Sequence, residues 1–173
     1  MKNRFLLFLV LFSFCGSHLT LAQSSKKKAD KDTFEWRYEI ESTGQEGVQG
    51  TYQVKVWSYS KKPETAVEQA KKNAVHGVIF RGFPAKGGAK PKSALATSPN
   101  IEQEKGDFFA DFFATGGKYL KFVTVANNGA LGQGDVIKIG KEYKVGVVIS
   151  VNAAMLRKDL EDAGIIKGLS SGF

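Results

Sequence analysis

The chain has 173 residues, one cysteine (Cys15) and a formal charge of +8 from 25 basic and 17 acidic residues. A single core of that size buries roughly two thirds of the unfolded surface, and beyond Cys15 the sequence excludes both a disulfide framework and thiolate metal sites. The moderate basic excess attracts anionic surfaces such as glycans or lipid head groups but specifies no partner.

The N-terminus carries Lys2 and Arg4, then an apolar run from Phe5 to Cys15, then Leu19-Thr20-Leu21-Ala22. That order predicts a secretory signal over 1–22, cut after Ala22 so that the working chain begins at Gln23. The apolar run falls short of the roughly 20 residues that cross a bilayer, and no later segment reaches that length, so no transmembrane span is expected. Cys15 offers the alternative of a lipid-anchored N-terminus, but Phe14 before it fits lipoprotein processing poorly. Cleavage carries away the cysteine, His18 and two positive charges. The expected destination is the periplasm or the exterior, which sets nucleic acid aside as a partner.

Residues 23–33 are polar and lysine-rich and read as a flexible leader before one domain over 34–173. Phe34, Trp36, Tyr38 and Ile40 alternate with Glu35, Arg37, Glu39 and Glu41, the pattern of a half-buried strand. Thr51 to Tyr59 repeats it with Tyr52, Val54 and Val56 on one face and Trp57 and Tyr59 on the other, so the two strands are expected to pair as a hairpin. Pro63 and Glu64 open a helix expected to run to Arg81, with Gly82 just past its end. Its apolar residues Val67, Ala70, Ala74, Val75, Val78 and Ile79 face the sheet, and Glu68, Lys72 and His76 are assigned to solvent.

The stretch 81–99 has no apolar period and reads as a long loop. A second helix follows Pro99-Asn100, with Ile101, Phe108, Phe109, Phe112 and Phe113 as an aromatic stripe ended by Gly116-Gly117. Three more strands are expected over 118–126, 135–139 and 142–151, then a short helix over 152–163 carrying Met155, Leu156 and Leu160. Strands on either side of helices predict an α+β fold: a largely antiparallel sheet of about five strands, two longer helices and a short C-terminal helix.

Few residues are shaped for catalysis. There is no HExxH zinc motif and no GK[ST] phosphate loop, and His76 is the one histidine beyond the signal. No catalytic residue, metal site or cofactor is assigned. Gly129, Gly132 and Gly134 do not open a helix after a strand and read as a hairpin loop. Glu102, Glu104, Asp107 and Asp111 read as an acidic face opposite the Phe stripe. Phe173 at the chain end is the ending of many outer-membrane barrels, but five strands broken by helices do not form one.

The candidate binding residues lie in two places. Arg81, Lys86, Lys90 and Lys92 gather on the basic loop with Phe83 as an apolar contact, a set suited to gripping an anionic envelope component. Trp57 and Tyr59 point away from the first helix; either they form a contact surface or the second helix covers them.

The segments "PETAVEQAKKNAVHGVIF" and "YKVGVVISV", the latter leading to "LRKDLEDAGI", resemble small bacterial envelope domains related to the N-terminal domain of flagellar assembly protein T and to certain outer-membrane lipoproteins. The stretches "VKVWSYSKKP" and "LRKDLEDAGIIKGLSSGF" resemble secreted proteins of Bacteroidota. The resemblance implies an envelope component that assembles with other proteins, and it carries over no catalytic residue. It leaves the Phe-rich second helix and the basic loop without counterparts. The combined expectation is an exported binding or assembly module contacting a protein, an anionic glycan or a lipid head group. The alternative is a secreted hydrolase built on carboxylates.

Overall fold

The computed structural model describes residues 36–44 and 48–168. The signal expected over 1–22, the leader over 23–33, Phe34, Glu35 and Phe173 lie outside the described residues. Five strands form one antiparallel sheet: β1 (Tyr38–Ser42), β2 (Thr51–Ser60), β3 (Val123–Val125), β4 (Val136–Ile139) and β5 (Glu142–Asn152). β1 pairs with β2 as the expected hairpin, and β2 pairs with β5 along its whole length. The far side of β5 is shared, with β4 along Glu142–Val145 and β3 along Ile149–Val151. The helices are α1 (Pro63–His76), α2 (Ile101–Glu104), α3 (Gly106–Phe112) and α4 (Ala153–Asp162), so the fold is α+β.

Alternation along the strands divides the sheet into two unlike faces. Tyr38, Ser42, Val54, Val56, Ser58, Val145, Val147, Ile149 and Val151 are buried on the inner face. Against that face lies α1, whose Ala66, Ala70 and Ala74 are fully buried and let the helix approach closely. Burying each larger aliphatic side chain stabilises the fold by about 1.5–3 kcal/mol. Leu156 and Leu160 of α4 close the same core, and Asn152 caps that helix by accepting from the Met155 N–H at 3.0 Å.

Several expectations are corrected. First, the opening strand starts at Tyr38, because Trp36 takes a left-handed φ of 45° that breaks the extended backbone. Second, the first helix is α-helical only to His76 and ends in a π turn over Gly77–Arg81. The chain then doubles back, and the Leu95 and Ala96 N–H groups donate to the Val78 and Ile79 carbonyls at 3.1 and 2.9 Å, satisfying a helix end that would otherwise lack partners. The expected 81–99 loop is therefore partly ordered by pairing. Third, residues 118–122 form a 3-10 turn in place of a strand, since the buried Tyr119 and Phe122 are three residues apart and match a three-residue period. Finally, the second helix is interrupted at Lys105 and splits into α2 and α3, and Met155 is exposed.

The Phe stripe is buried as its spacing implies, with Phe109, Phe112 and Phe113 in the core. It packs on a side of α1 different from the one that meets the sheet: Phe109 stands edge-on to Phe80 at 4.9 Å, and Phe113 lies 6.1 Å from His76. Covered from two directions, α1 loses its solvent face near its C-terminal end. Lys72 and His76, assigned to solvent by their spacing, are only 4% and 3% exposed.

Candidate functional site

The sequence places four cations and Phe83 on one loop, and the fold sends them to different places. Gly82 starts the divergence, with φ of 66° and so little room that a Cβ would lie 2.3 Å from the Lys92 carbonyl. Phe83 and Lys92 then exchange N–H···O bonds of 2.9 and 3.0 Å, and the Ala89 N–H closes the tip onto the Lys86 carbonyl at 3.1 Å. Residues 83–92 are thus a small hairpin standing beside β2. Phe83 is buried beneath it, edge-on to Tyr52 at 5.6 Å.

Between this hairpin and β2 lies a cleft of about 160 Å³ whose lining includes Thr51, Tyr52, Gln53, Phe83, Lys90 and Lys92. The Lys92 ammonium sits 5.3 Å from the Tyr52 ring centroid, over its face. Neither Lys90 nor Lys92 has a carboxylate partner among the described residues. The cleft therefore offers two cations and an aromatic wall. Its volume suits one carboxylate or phosphate group with its immediate neighbours, well below the roughly 300–1,000 Å³ of pockets that enclose whole ligands.

Arg81 and Lys86 are committed elsewhere. The Arg81 guanidinium stacks over the Tyr38 ring at 4.2 Å and donates to the Trp36 and Tyr38 carbonyls at 3.1 and 3.4 Å. Lys86 pairs with Glu41 at 2.7 Å. Of the five loop residues singled out from the sequence, Phe83, Lys90 and Lys92 share the cleft and the other two do not.

Trp57 and Tyr59 lie on the outer face of the sheet, and their partners there are sheet residues rather than the second helix. The indole of Trp57 rests across Gly146 on β5, where a Cβ would come within 2.8 Å of the ring. Its Nε1–H donates to Glu41 at 3.2 Å, and the Lys55 and Lys144 ammonium groups stand 4.5 and 5.1 Å from the ring centroid. Arg37 lies 4.7 Å over Tyr59. Each cation on this face has a carboxylate: Arg37 with Glu142, Lys55 with Asp135, Lys86 with Glu41 and Lys144 with Glu39. The hydrogen bonds from Lys144 and Tyr59 hold the Glu39 carboxyl below the usual range. This face is close to electrically balanced.

A third cluster was not anticipated. The Tyr38 hydroxyl lies 2.6 Å from His76 Nδ1, and His76 Nε2 lies 3.0 Å from Glu102 Oε1. Trp36 stacks on the imidazole with centroids 3.8 Å apart, its left-handed backbone turning the indole inward. Hydrogen bonding from His76 holds Glu102 below the usual carboxylate range, while burial pulls His76 below its ordinary value despite the carboxylate. An ionised carboxylate only accepts, so Nε2 carries the imidazole proton and Nδ1 accepts from Tyr38. Both ring nitrogens are thereby engaged, and the Tyr38 hydroxyl is held protonated by burial. The cluster ties β1, α1 and α2 together beside a surface hollow lined by Arg81, Thr97, Ser98 and Glu102. The assignment of His76 to a solvated face is overturned; Glu102 turns to it while keeping 35% of its side chain exposed, and Glu104, Asp107 and Asp111 are exposed as expected. Of the rings that reach His76, only Phe80 is near it in sequence, while Tyr38 is 38 residues away, so no local spacing pointed to this cluster.

Among the described residues no three of His, Cys, Asp and Glu gather as a metal would require, and no helix is long and apolar enough to cross a membrane. The letters Gly-Leu-Ser-Ser-Gly at 168–172 fit the nucleophile-elbow pattern of many hydrolases, but that elbow joins a strand to a helix. Here the letters follow α4, and residues 169–172 lie outside the described residues. Comparison of the chain with protein-family models, curated proteins and solved structures finds no match, so what these sites can do follows from their own geometry.

Proposed function

We propose that this protein is an exported binding module that seats an anionic group, a carboxylate or phosphate of an envelope glycan or lipid, in the cleft between the 83–92 hairpin and β2. The observation that carries the reading is the convergence of Lys90 and Lys92 on that cleft without a carboxylate among the described residues, while the other cations of the same loop are engaged. The signal-like order of residues 1–22 supports export. Tyr52 orients the arrangement: its ring holds the Lys92 ammonium by a cation–π contact that leaves the ammonium hydrogens available to an anion.

The test is co-sedimentation of residues 23–173 with vesicles containing phosphatidylglycerol, and in parallel titration with polygalacturonate, at two salt concentrations. A lysine near an anionic surface contributes about 1 kcal/mol, so Lys90→Ala with Lys92→Ala is expected to weaken binding about 30-fold. Lys86→Ala, which removes a cation already paired with Glu41, is expected to change it little. Binding to neither probe, or equal loss with Lys86→Ala, would remove the cleft from consideration.

A further inference from the structure

Among the described residues the sheet is open along β1 on one side and along β3 and β4 on the other, and the edges of β1 and β4 are treated differently. At β1, Arg81 donates to the Trp36 and Tyr38 carbonyls and so occupies main-chain acceptors that an incoming strand would use. At the other side, β4 pairs with β5, and its far edge has no partner strand among the described residues. The Gly146 N–H donates to the Asp135 carbonyl at 2.8 Å, and antiparallel ladders alternate, so Ile137 and Ile139 direct their main-chain groups at β5. Val136 and Lys138 therefore turn their N–H and C=O groups outward.

The side chains of this edge are also open. Val136, Ile137 and Ile139 are 41%, 43% and 49% exposed, three of the six large apolar side chains so exposed among the described residues. Lys138 and the turn residue Lys141 have no carboxylate partner among the described residues, whereas the neighbouring Lys144 and Glu142 are neutralised by Glu39 and Arg37. An uncapped edge with apolar side chains is a template for another strand.

We propose that the outer edge of β4 receives an extended segment of another protein in which apolar and acidic residues alternate. The segment adds to the sheet as a further strand. Its main chain pairs with Val136 and Lys138, its apolar side chains lie beside Ile137 and Ile139, and its carboxylates meet Lys138 and Lys141. Charge selects this occupant over a second copy of the chain: two β4 strands side by side would bring Lys138 and Lys141 of both copies into one ladder, and like charges across a ladder are destabilising.

The experiment titrates residues 23–173 with an end-blocked peptide of alternating valine and glutamate, and with its valine–lysine counterpart, while amide hydrogen exchange is followed. The acidic peptide is expected to bind at least tenfold more tightly and to slow exchange at Val136 and Lys138. Lys138→Pro removes an outward N–H that β5 does not use, and it is expected to abolish binding while the Ile137 and Ile139 amides stay protected. Lys138→Glu is a second variant that keeps every main-chain group and is expected to shift preference toward the lysine peptide. Equal affinity for the two peptides, or unchanged affinity in Lys138→Pro, would overturn the proposal. So would concentration-dependent self-association through β4, which would make a second copy the occupant, and so would no binding, which would leave Lys138 guarding the edge against aggregation.

Discussion

His76 on α1 and Glu102 on α2 share a 3.0 Å Nε2–Oε1 hydrogen bond, although the spacing of each residue assigns it to a solvated face. The pair makes stability depend on pH with a definite sign. Burial holds the folded imidazole below its ordinary value of 6.5, so beneath that pH the unfolded chain binds more protons than the folded one. Stability is expected to be full above pH 6.5 and to fall as pH drops toward 5, before Glu102 titrates. Urea unfolding at several pH values checks this, and His76→Gln should flatten the slope in that window. A wild-type midpoint that rises on acidification would mean that the imidazolium is the folded form.

Glu102→Ala leaves a buried imidazole N–H without its acceptor and is expected to cost about 1–3 kcal/mol. Glu104→Ala, two residues away and exposed, is expected to stay within about 0.5 kcal/mol. Equal effects in denaturant melts would show that Glu102 is as solvated as its neighbour.

Lys72 gives the opposite end of the pH scale. Burial lowers its ammonium to about 8, with the Tyr119 ring 5.7 Å away as an aromatic neighbour. Between about pH 8 and the ordinary 10.5 the unfolded chain holds a proton that the folded chain has released, so this residue's contribution rises with pH across that window. Lys72→Met should remove the alkaline gain, measured by scanning calorimetry at several pH values between 7 and 10.5.

Gly82→Ala confronts both a left-handed φ and a Cβ 2.3 Å from the Lys92 carbonyl. The backbone must shift, at a cost on the order of 1–3 kcal/mol. Because Lys92 lines the cleft through the paired strand of the hairpin, the same substitution should weaken binding of the anionic probes without removing a charge. Retained affinity would show that the hairpin does not shape the cleft.

Trp57 and Gly146 test the outer face. A methyl at residue 146 would meet the indole at 2.8 Å and push it off the sheet, breaking its bond to Glu41. In a Trp36→Phe background, Gly146→Ala should shift the Trp57 emission to longer wavelength; an unchanged spectrum would mean that the ring does not rest on the glycine.

Strand and helix identities followed from periodicity where one face was buried and the other was wet. β2 and β5 alternate cleanly, and the Phe stripe shows its own spacing. Periodicity failed where an element is covered on two sides. Lys72 and His76 sit on the polar side of α1 as a helical wheel draws it, but Phe113 lies beside His76 and Tyr119 of the 3-10 turn beside Lys72, and both are buried. It failed again at Tyr119 and Phe122, whose three-residue spacing serves a 3-10 turn as well as a strand would serve alternation.

The sequence alone determined the α+β class, the hairpin of β1 and β2, the inward face of the sheet and the cations available on the 81–92 segment, because these depend on local spacing and composition. Only the tertiary structure decided which of those cations have partners. It brought Glu41 to Lys86 and the Trp36 and Tyr38 carbonyls to Arg81, left Lys90 and Lys92 at a cleft, and capped the β1 edge while leaving that of β4 open among the described residues. Those outcomes depend on groups up to 45 residues apart in the chain, a separation over which side-chain pattern carries no information about distance.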